Sequence, residues 1–266
     1  MHQHNRCITS REYKLMLNVD RFQERESSSL AFWQLVQFLA LKQSAKVIKE
    51  QHEEEKRITW YLDTPEFALR KQGFVLRVRE ESDKKGKEYK TTLKYRSSDR
   101  YLSASTNVAS SMEGKFKFEE DILPPFRSKF SHSHSIKTKK LPDLESMGDL
   151  MDIFPGLKEL NLRKKTPVNI VNGLQVQEIV RKVAQLEFGE PLKVNLGLSF
   201  WYLFGEAGEL PLVGEFSFDY EDETKSEQFP LPVVVGTNRW FQSLQKQSGW
   251  FNFNATTKTS YVYDGF

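Results

Sequence analysis

The chain has 266 residues, 38% of them hydrophobic, with 39 Lys plus Arg against 36 Asp plus Glu and a formal net charge of +3. That is enough for one large domain or two small ones, too aromatic for disorder, and too evenly charged for a general nucleic-acid binder. The one cysteine, Cys7, rules out an internal disulfide framework and a cysteine-rich zinc site; with no run near the roughly 18 apolar residues of a membrane span and no apolar signal core in MHQHNRCITSREYK, the expectation is a cytoplasmic protein without a membrane partner.

Residues 8–19, ITSREYKLMLNV, alternate and predict a strand. Serines open SSSLAFWQLVQFLALK, 27–42, whose apolar spacing predicts a helix. RITWYLDT, 57–64, reads as a strand ending at a turn. PEFALRKQGF, 65–74, reads as a short helix with Pro65 at its first position and Gly73 as its stop. VLRVREES and YKTTLKYRSS, 89–98, read as strands joined by a DKKGKE hairpin turn on Gly86. The Ser-rich stretch 97–114 reads as a loop or insertion, and KFKFEEDI, 115–122, as a strand. PPFRSKFSHSHSIKTKKLP, 124–142, reads as an exposed polar loop, and LESMGDLMDIF, 144–154, as a short helix. KELNLRKKTPVNIV, 158–171, reads as a strand bent by Pro167. LKVNLGLSFWYLFG, 192–205, and LPLVGEFSFDYED, 210–222, are strands joined by a GEAGE turn. VVVGTNRWFQSLQKQ, 233–247, is a helix and TTKTSYVY, 256–263, a tail. No repeat and no linker divides the chain, so a single α+β domain over 1–266 is expected. His2 and His4 lie in a terminus that gives them no metal-binding context.

The two-residue period of a strand sorts the side chains onto faces. Ser10, Glu12 and Lys14 oppose Tyr13, Leu15 and Leu17. Arg77, Arg79 and Glu81 oppose Leu76 and Val78. Lys90, Thr92, Lys94 and Arg96 oppose Leu93 and Tyr95. Lys117, Glu119 and Asp121 oppose Phe116, Phe118 and Ile122. Arg163 and Lys165 oppose Leu160 and Leu162, and Glu215, Ser217 and Asp219 oppose Phe216 and Phe218. Taken one strand at a time, this is a sheet with one wet face. Taken together, the polar face holds almost nothing but Arg, Lys, Glu and Asp, and the arginines come at i, i+2, where they repel unless an anion sits between them. The alternative is a barrel of about eight strands with its charged face inward, wide enough for one small ligand. Buried charge is costly unless paired, so such a lumen, with cations in excess, calls for a polyanion. Arginine forks suit phosphate oxygens, the acids can hold a divalent cation, and a nucleic-acid duplex would not fit inside.

EYK at 12–14, YLDTPEFALRKQGFVLRVRE at 61–80, TLKYR at 92–96, FEED at 118–121, GEFSFD at 214–219 and TTKT at 256–259 resemble, in order and spacing, the CYTH superfamily of triphosphate tunnel metalloenzymes. The resemblance implies an eight-stranded antiparallel closed β-barrel with flanking helices, a triphosphate-containing small molecule as substrate, and Mg²⁺ or Mn²⁺ as cofactor. It implies phosphate clamps at Lys14, Arg77, Arg79, Lys94 and Arg96, extended to Arg163, Lys165 and Lys258. Glu12 and Glu119 would be catalytic, and Glu12, Glu119, Asp121, Glu215 and Asp219 the metal ligands. The departures are Ser10, Ser199 and Ser217, which stand where the family pattern has carboxylates, and a hydroxyl is a poor substitute for a carboxylate on Mg²⁺.

Three functions are compatible with this pattern: metal-dependent hydrolysis of a triphosphate-type anhydride, polyphosphate or nucleotide binding without catalysis, and cyclisation of ATP as in class IV adenylate cyclases. In a hydrolase, arginines and a metal would neutralise the leaving phosphoryl group, and Glu12 or Glu119 would orient water. The apolar outward faces of the strands need cover. The helices at 30–42 and 233–247 are the expected cover, with a second subunit supplying it in a homodimer if they swing away.

Overall fold

The computed structural model describes residues 7–83, 86–189, 191–205, 210–254 and 257–264. In chain order they form β1 (Ser10–Met16), a 3₁₀ turn at Val19–Phe22, α1 (Arg25–Leu41), β2 (Lys46–Glu50), β3 (Glu54–Asp63), α2 (Ala68–Lys71), β4 (Phe74–Asp83) and β5 (Gly86–Ser97). Then come α3 (Arg100–Ser105), β6 (Gly114–Leu123), β7 (Arg127–Thr138), α4 (Met147–Ile153), a 3₁₀ helix at Pro155–Leu160, β8 (Asn169–Glu187), β9 (Lys193–Leu203), β10 (Val213–Glu221), α5 (Leu231–Leu244) and α6 (Lys258–Asp264). Among the described residues no helix is long and apolar enough to cross a membrane.

The strands hydrogen-bond in the order β2-β8-β3-β4-β5-β7-β6-β1-β10-β9, and β9 pairs back onto β8. That last pairing closes a ring. β2 pairs only with the far end of β8, at Ala184–Glu187, and stands outside it. The barrel therefore has nine strands rather than the eight expected, and it is mixed: β1 runs parallel to β6 (Ser10 beside Glu119, Glu12 beside Asp121), while the other neighbours are antiparallel. Closure leaves no free edge around the ring.

Strand alternation then does the sorting. Outward residues of β1, β8, β9 and β10, among them Tyr13, Leu15, Leu196, Phe200, Phe216 and Phe218, pack under Phe32, Trp33 and Val36 of α1 and Val233, Trp240 and Phe241 of α5. The Tyr13 and Phe218 rings stack at 4.6 Å, and Trp240 sits 4.4 Å from Phe218. On the other side, Trp60, Leu76, Val78, Leu93 and Ile136 are covered by Met147 and Leu150 of α4 and by Phe154 and Leu157. The two expected helices thus cover one side of the barrel, and a third helix covers the other.

Several sequence readings need correction. The polar loop expected at 124–142 holds β7, a full barrel strand. Its SHSHS run sends Ser131, Ser133 and Ser135 to the interior. His134 goes outward, stacked on Phe116 at 3.9 Å. A strand polar on both faces carries no apolar period. The loop at 97–114 contains α3, capped by Asp99, which accepts from the backbone of Tyr101 and Leu102. The strand expected over 158–171 starts only at Asn169; before it lie the 3₁₀ helix at Pro155–Leu160 and a turn, where the spacing of Leu160 and Leu162, both packed on the core, imitates strand alternation. The 19-residue β8 was not anticipated, because Asn172 and Gly173, both at positive φ, interrupt its pattern with a bulge opposite Trp60–Leu62. Pro65 lies in a turn ahead of α2 rather than inside it, and the tail is helical from Lys258. Parts of the expected turns at 84–85 and 206–209, Thr256 of the TTKT block, and His2 and His4 lie outside the described residues.

Candidate functional site: a charged tunnel

The barrel encloses a cavity of about 940 Å³ whose wall is the inward face of the strands. One wall is basic. β3 contributes Arg57, β4 contributes Arg77 and Arg79, and β5 contributes Lys90. The β4–β5 register sets Arg79 directly opposite Lys90, and Arg77 opposite Thr92. Like charges directly opposite each other on a ladder are destabilising. The Nε atoms of Arg77 and Arg79 are buried without a hydrogen-bond acceptor. Burial and the neighbouring Arg77 pull Arg79 down from the usual guanidinium value, and burial with Arg77 and Arg79 pushes Lys90 down to about 8. Among the described residues, neither Arg77 nor Lys90 makes an ion pair.

Beside this wall stands Glu178 of β8, fully buried. It accepts from Arg57 Nε at 2.7 Å, Thr59 Oγ1 at 3.1 Å, Ser199 Oγ at 2.9 Å and Lys258 Nζ at 3.1 Å, with Arg79 Nη2 at 3.4 Å. Burial opposes its ionisation, but Arg79, Lys258 and Arg57 outweigh that and hold it well below the usual carboxylate range. Neither Glu178 nor Arg57 was singled out from the sequence. The signal for Glu178 was a lone acid in the otherwise apolar inward series Val176, Glu178, Val180; Arg57 shares its strand face with Thr59 and Tyr61.

The opposite wall is mixed. Asp121, with no exposure, accepts from Lys14 Nζ at 2.5 Å, Ser131 Oγ at 2.7 Å and the Arg96 guanidinium. Glu119 accepts from Lys94 at 3.0 Å and Lys117 at 2.9 Å. Glu215 accepts from Lys258 at 2.9 Å. Burial works against the charge on Glu119, yet Lys94 and Lys117 depress it below the ordinary range. Asp219 differs: it faces Glu12 across the β1–β10 ladder, and burial together with Glu12 raises it to about 7.

An apolar floor joins inward residues Met16, Tyr61, Val75, Trp201 and Val213 to Val262 and Tyr263 of α6. Tyr263 donates to Asp63 Oδ2 at 3.1 Å, and Asp63 also accepts from the backbone of Thr64, Leu69 and Arg70. The Asp-Thr turn, α2 and the C-terminal helix are thereby locked together, and Lys258 is carried into the lumen.

Of the residues singled out from the sequence, Glu12, Lys14, Arg77, Arg79, Lys94, Arg96, Glu119, Glu215 and Lys258 line or border the cavity, with Asp121 and Asp219 on the same strand faces. Arg163 and Lys165 do not join them; they are exposed on the turn that follows the 3₁₀ helix.

The donor set does not fit a divalent cation. Glu119, Asp121 and Glu215 are committed to lysines or arginine, and among the described residues no three His, Cys, Asp or Glu side chains gather as a metal-holding group. Ser10 and Ser199 donate to Glu119 and Glu178, at 3.5 and 2.9 Å, rather than adding carboxylate charge.

The closed barrel with charged lumen and flanking helices is the tunnel architecture that the sequence blocks resemble. No family model and no curated protein matches the chain. Solved structures similar to it include a candidate adenylyl cyclase from Hippeastrum, described as having a dominant triphosphatase activity (13% identity, covering 97% of this chain and 96% of that one, TM-score 0.48). They also include candidate adenylate cyclases from Bacillus halodurans (14% identity, 97% and 100%, TM-score 0.42) and Vibrio parahaemolyticus (13% identity, 97% and 99%, TM-score 0.38).

Proposed function

We propose that this protein is a tunnel-type binder of a linear triphosphate or a triphosphate-bearing small molecule, held against the basic wall of the lumen. The observation that carries the reading is the pair of half-buried Arg77 and Arg79 side chains, each with a buried Nε that has no acceptor, next to Lys90. Such an arrangement is unfavourable by itself and becomes favourable when an anion enters. Phosphate oxygens would accept from Arg77, Arg79 and Lys90, while Lys94 and Arg96 are already engaged with carboxylates and would contribute charge at longer range. The single cysteine supports work in a reducing cytoplasm.

A second reading adds hydrolysis of the bound anhydride. It is favoured by Asp219, a half-buried carboxyl that desolvation and the neighbouring Glu12 push up to about 7, which suits proton transfer to and from water. Metal-assisted hydrolysis by Glu12 and Glu119 is not supported by the donor set, and no step is assigned to a metal. Titration calorimetry with tripolyphosphate, thiamine triphosphate and ATP, followed by assays for phosphate and cyclic AMP, tests both readings. Binding without product supports the first, phosphate release the second, cyclic AMP would replace both, and no binding ends both.

A further inference from the structure

Three lysines in the lumen each bridge two carboxylates. Lys14 Nζ lies 2.8 Å from Glu12 and 2.5 Å from Asp121. Lys117 Nζ lies 2.9 Å from Glu119 and 2.7 Å from Glu221. Lys258 Nζ lies 2.9 Å from Glu215 and 3.1 Å from Glu178. The bridged acids come from β1, β6, β8 and β10, so each ammonium ties strands together across the barrel wall.

We infer that these built-in ammonium groups stand in for a divalent cation, so that the lumen takes its polyphosphate as the metal-free anion, and that magnesium weakens binding by drawing the anion into its own complex. The inference rests on the polyanion reading given above.

The chemistry follows from what a hard cation needs. Mg²⁺ requires bare oxygen lone pairs converging at about 2.0–2.1 Å in near-octahedral array. Each bridging ammonium stands between the oxygens that a cation would have to draw together. An entering divalent ion must displace a lysine and then lie beside it, in a lumen where Arg77 and Lys90 already lack an ion-pair partner among the described residues and Arg79 shares Glu178 with Arg57 and Lys258. Asp219 is the exception, since among the described residues no lysine bridges it. Its cross-strand neighbour Glu12 is held by Lys14, which leaves one carboxylate, too few for a cage. The hydroxyls of Ser10 and Ser199, where carboxylates would have added charge, donate to acids that lysines already hold.

The test is calorimetry of the full chain with sodium tripolyphosphate, first with EDTA and then with excess MgCl₂ at matched ionic strength. Binding is expected with EDTA, weakening several-fold with magnesium. Binding that appears only with magnesium, or tightens by roughly ten-fold with it, overturns the inference and leaves the polyanion reading standing. No binding under either condition overturns both. A second measurement needs no anion: Mn²⁺ alone is expected to leave the melting temperature of the wild type unchanged and to raise that of Lys117→Met, where Glu221 is released and Glu119 keeps Lys94 as its one lysine partner. A marked wild-type rise, or a Lys117→Met variant that folds yet does not respond, counts against the bridging role. Where Lys117→Met does not fold, Lys117→Gln serves in its place.

Discussion

Arg79 and Lys90 are register partners on adjacent strands, and both side chains enter the lumen. Across the barrel, Glu12 and Asp219 are register partners too. A cation faces a cation on one wall and an acid faces an acid on the other, so the lumen is polarised. Such pairings oppose folding, which is why each wall responds differently to substitution and to pH.

Arg77→Met removes a half-buried guanidinium whose buried Nε has no acceptor. Its melting temperature should hold or rise, while tripolyphosphate affinity falls by about 10- to 100-fold, the worth of one or two charged hydrogen bonds. Parallel thermal melts and calorimetry check this. A variant that loses stability and keeps affinity would make Arg77 a structural residue.

The basic wall also sets a pH window. Burial together with Arg77 and Arg79 pushes Lys90 down to about 8 in the folded chain, while the Arg79 guanidinium keeps its charge. The unfolded chain therefore binds more protons above pH 8, and stability of the ligand-free protein should rise as pH passes from 8 towards 10. Tripolyphosphate binding needs Lys90 charged, so affinity should fall over the same interval. Denaturant melts and calorimetry at pH 7, 8, 9 and 10 are expected to show the two trends in opposite directions.

Glu178→Gln leaves Arg57, Arg79 and Lys258 without their shared negative charge. Loss of one partner from a buried ionic cluster costs about 3–5 kcal/mol, so denaturant midpoints should drop sharply. In the wild type the depressed Glu178 carboxyl contributes stability that is present above its unfolded value of about 4.3 and lost as pH falls below it. The variant should lack this part of the acid dependence.

Asp219→Asn should act in the other direction. The wild-type carboxyl is raised to about 7, so the folded state binds the extra proton between about pH 4 and 7 and stability declines as pH rises through that range. The amide removes the penalty, with a gain on the order of 1–3 kcal/mol at pH 8 and little at pH 5. If the tunnel hydrolyses its ligand by the second reading, the same variant should lose phosphate release while retaining binding.

The charged face of β1, β4, β5, β6 and β10 was legible in the sequence because apolar outward residues such as Leu76, Val78, Phe216 and Phe218 mark the alternation. Where the outward side is polar or bulged, the signal vanished. In β7 serine faces histidine, and in β8 Asn172 and Gly173 break the period, hiding Glu178 with it. Arg163 and Lys165 looked like lumen residues because Leu160 and Leu162 imitate a strand, although a 3₁₀ helix and turn present them to solvent. The serines at 10 and 199 were visible from the sequence, but their hydrogen bonds to Glu119 and Glu178 depend on strand pairings that local pattern does not encode. Lysine bridging of the acids likewise needed the closed ring.

A crystal structure of the full chain with tripolyphosphate tests the central claim most directly. The phosphate chain should lie inside the barrel, with oxygens about 2.7–3.2 Å from the nitrogens of Arg77, Arg79 and Lys90. An anion bound only on the outer surface, for instance at Arg163 and Lys165, with the lumen side chains unchanged, would contradict it.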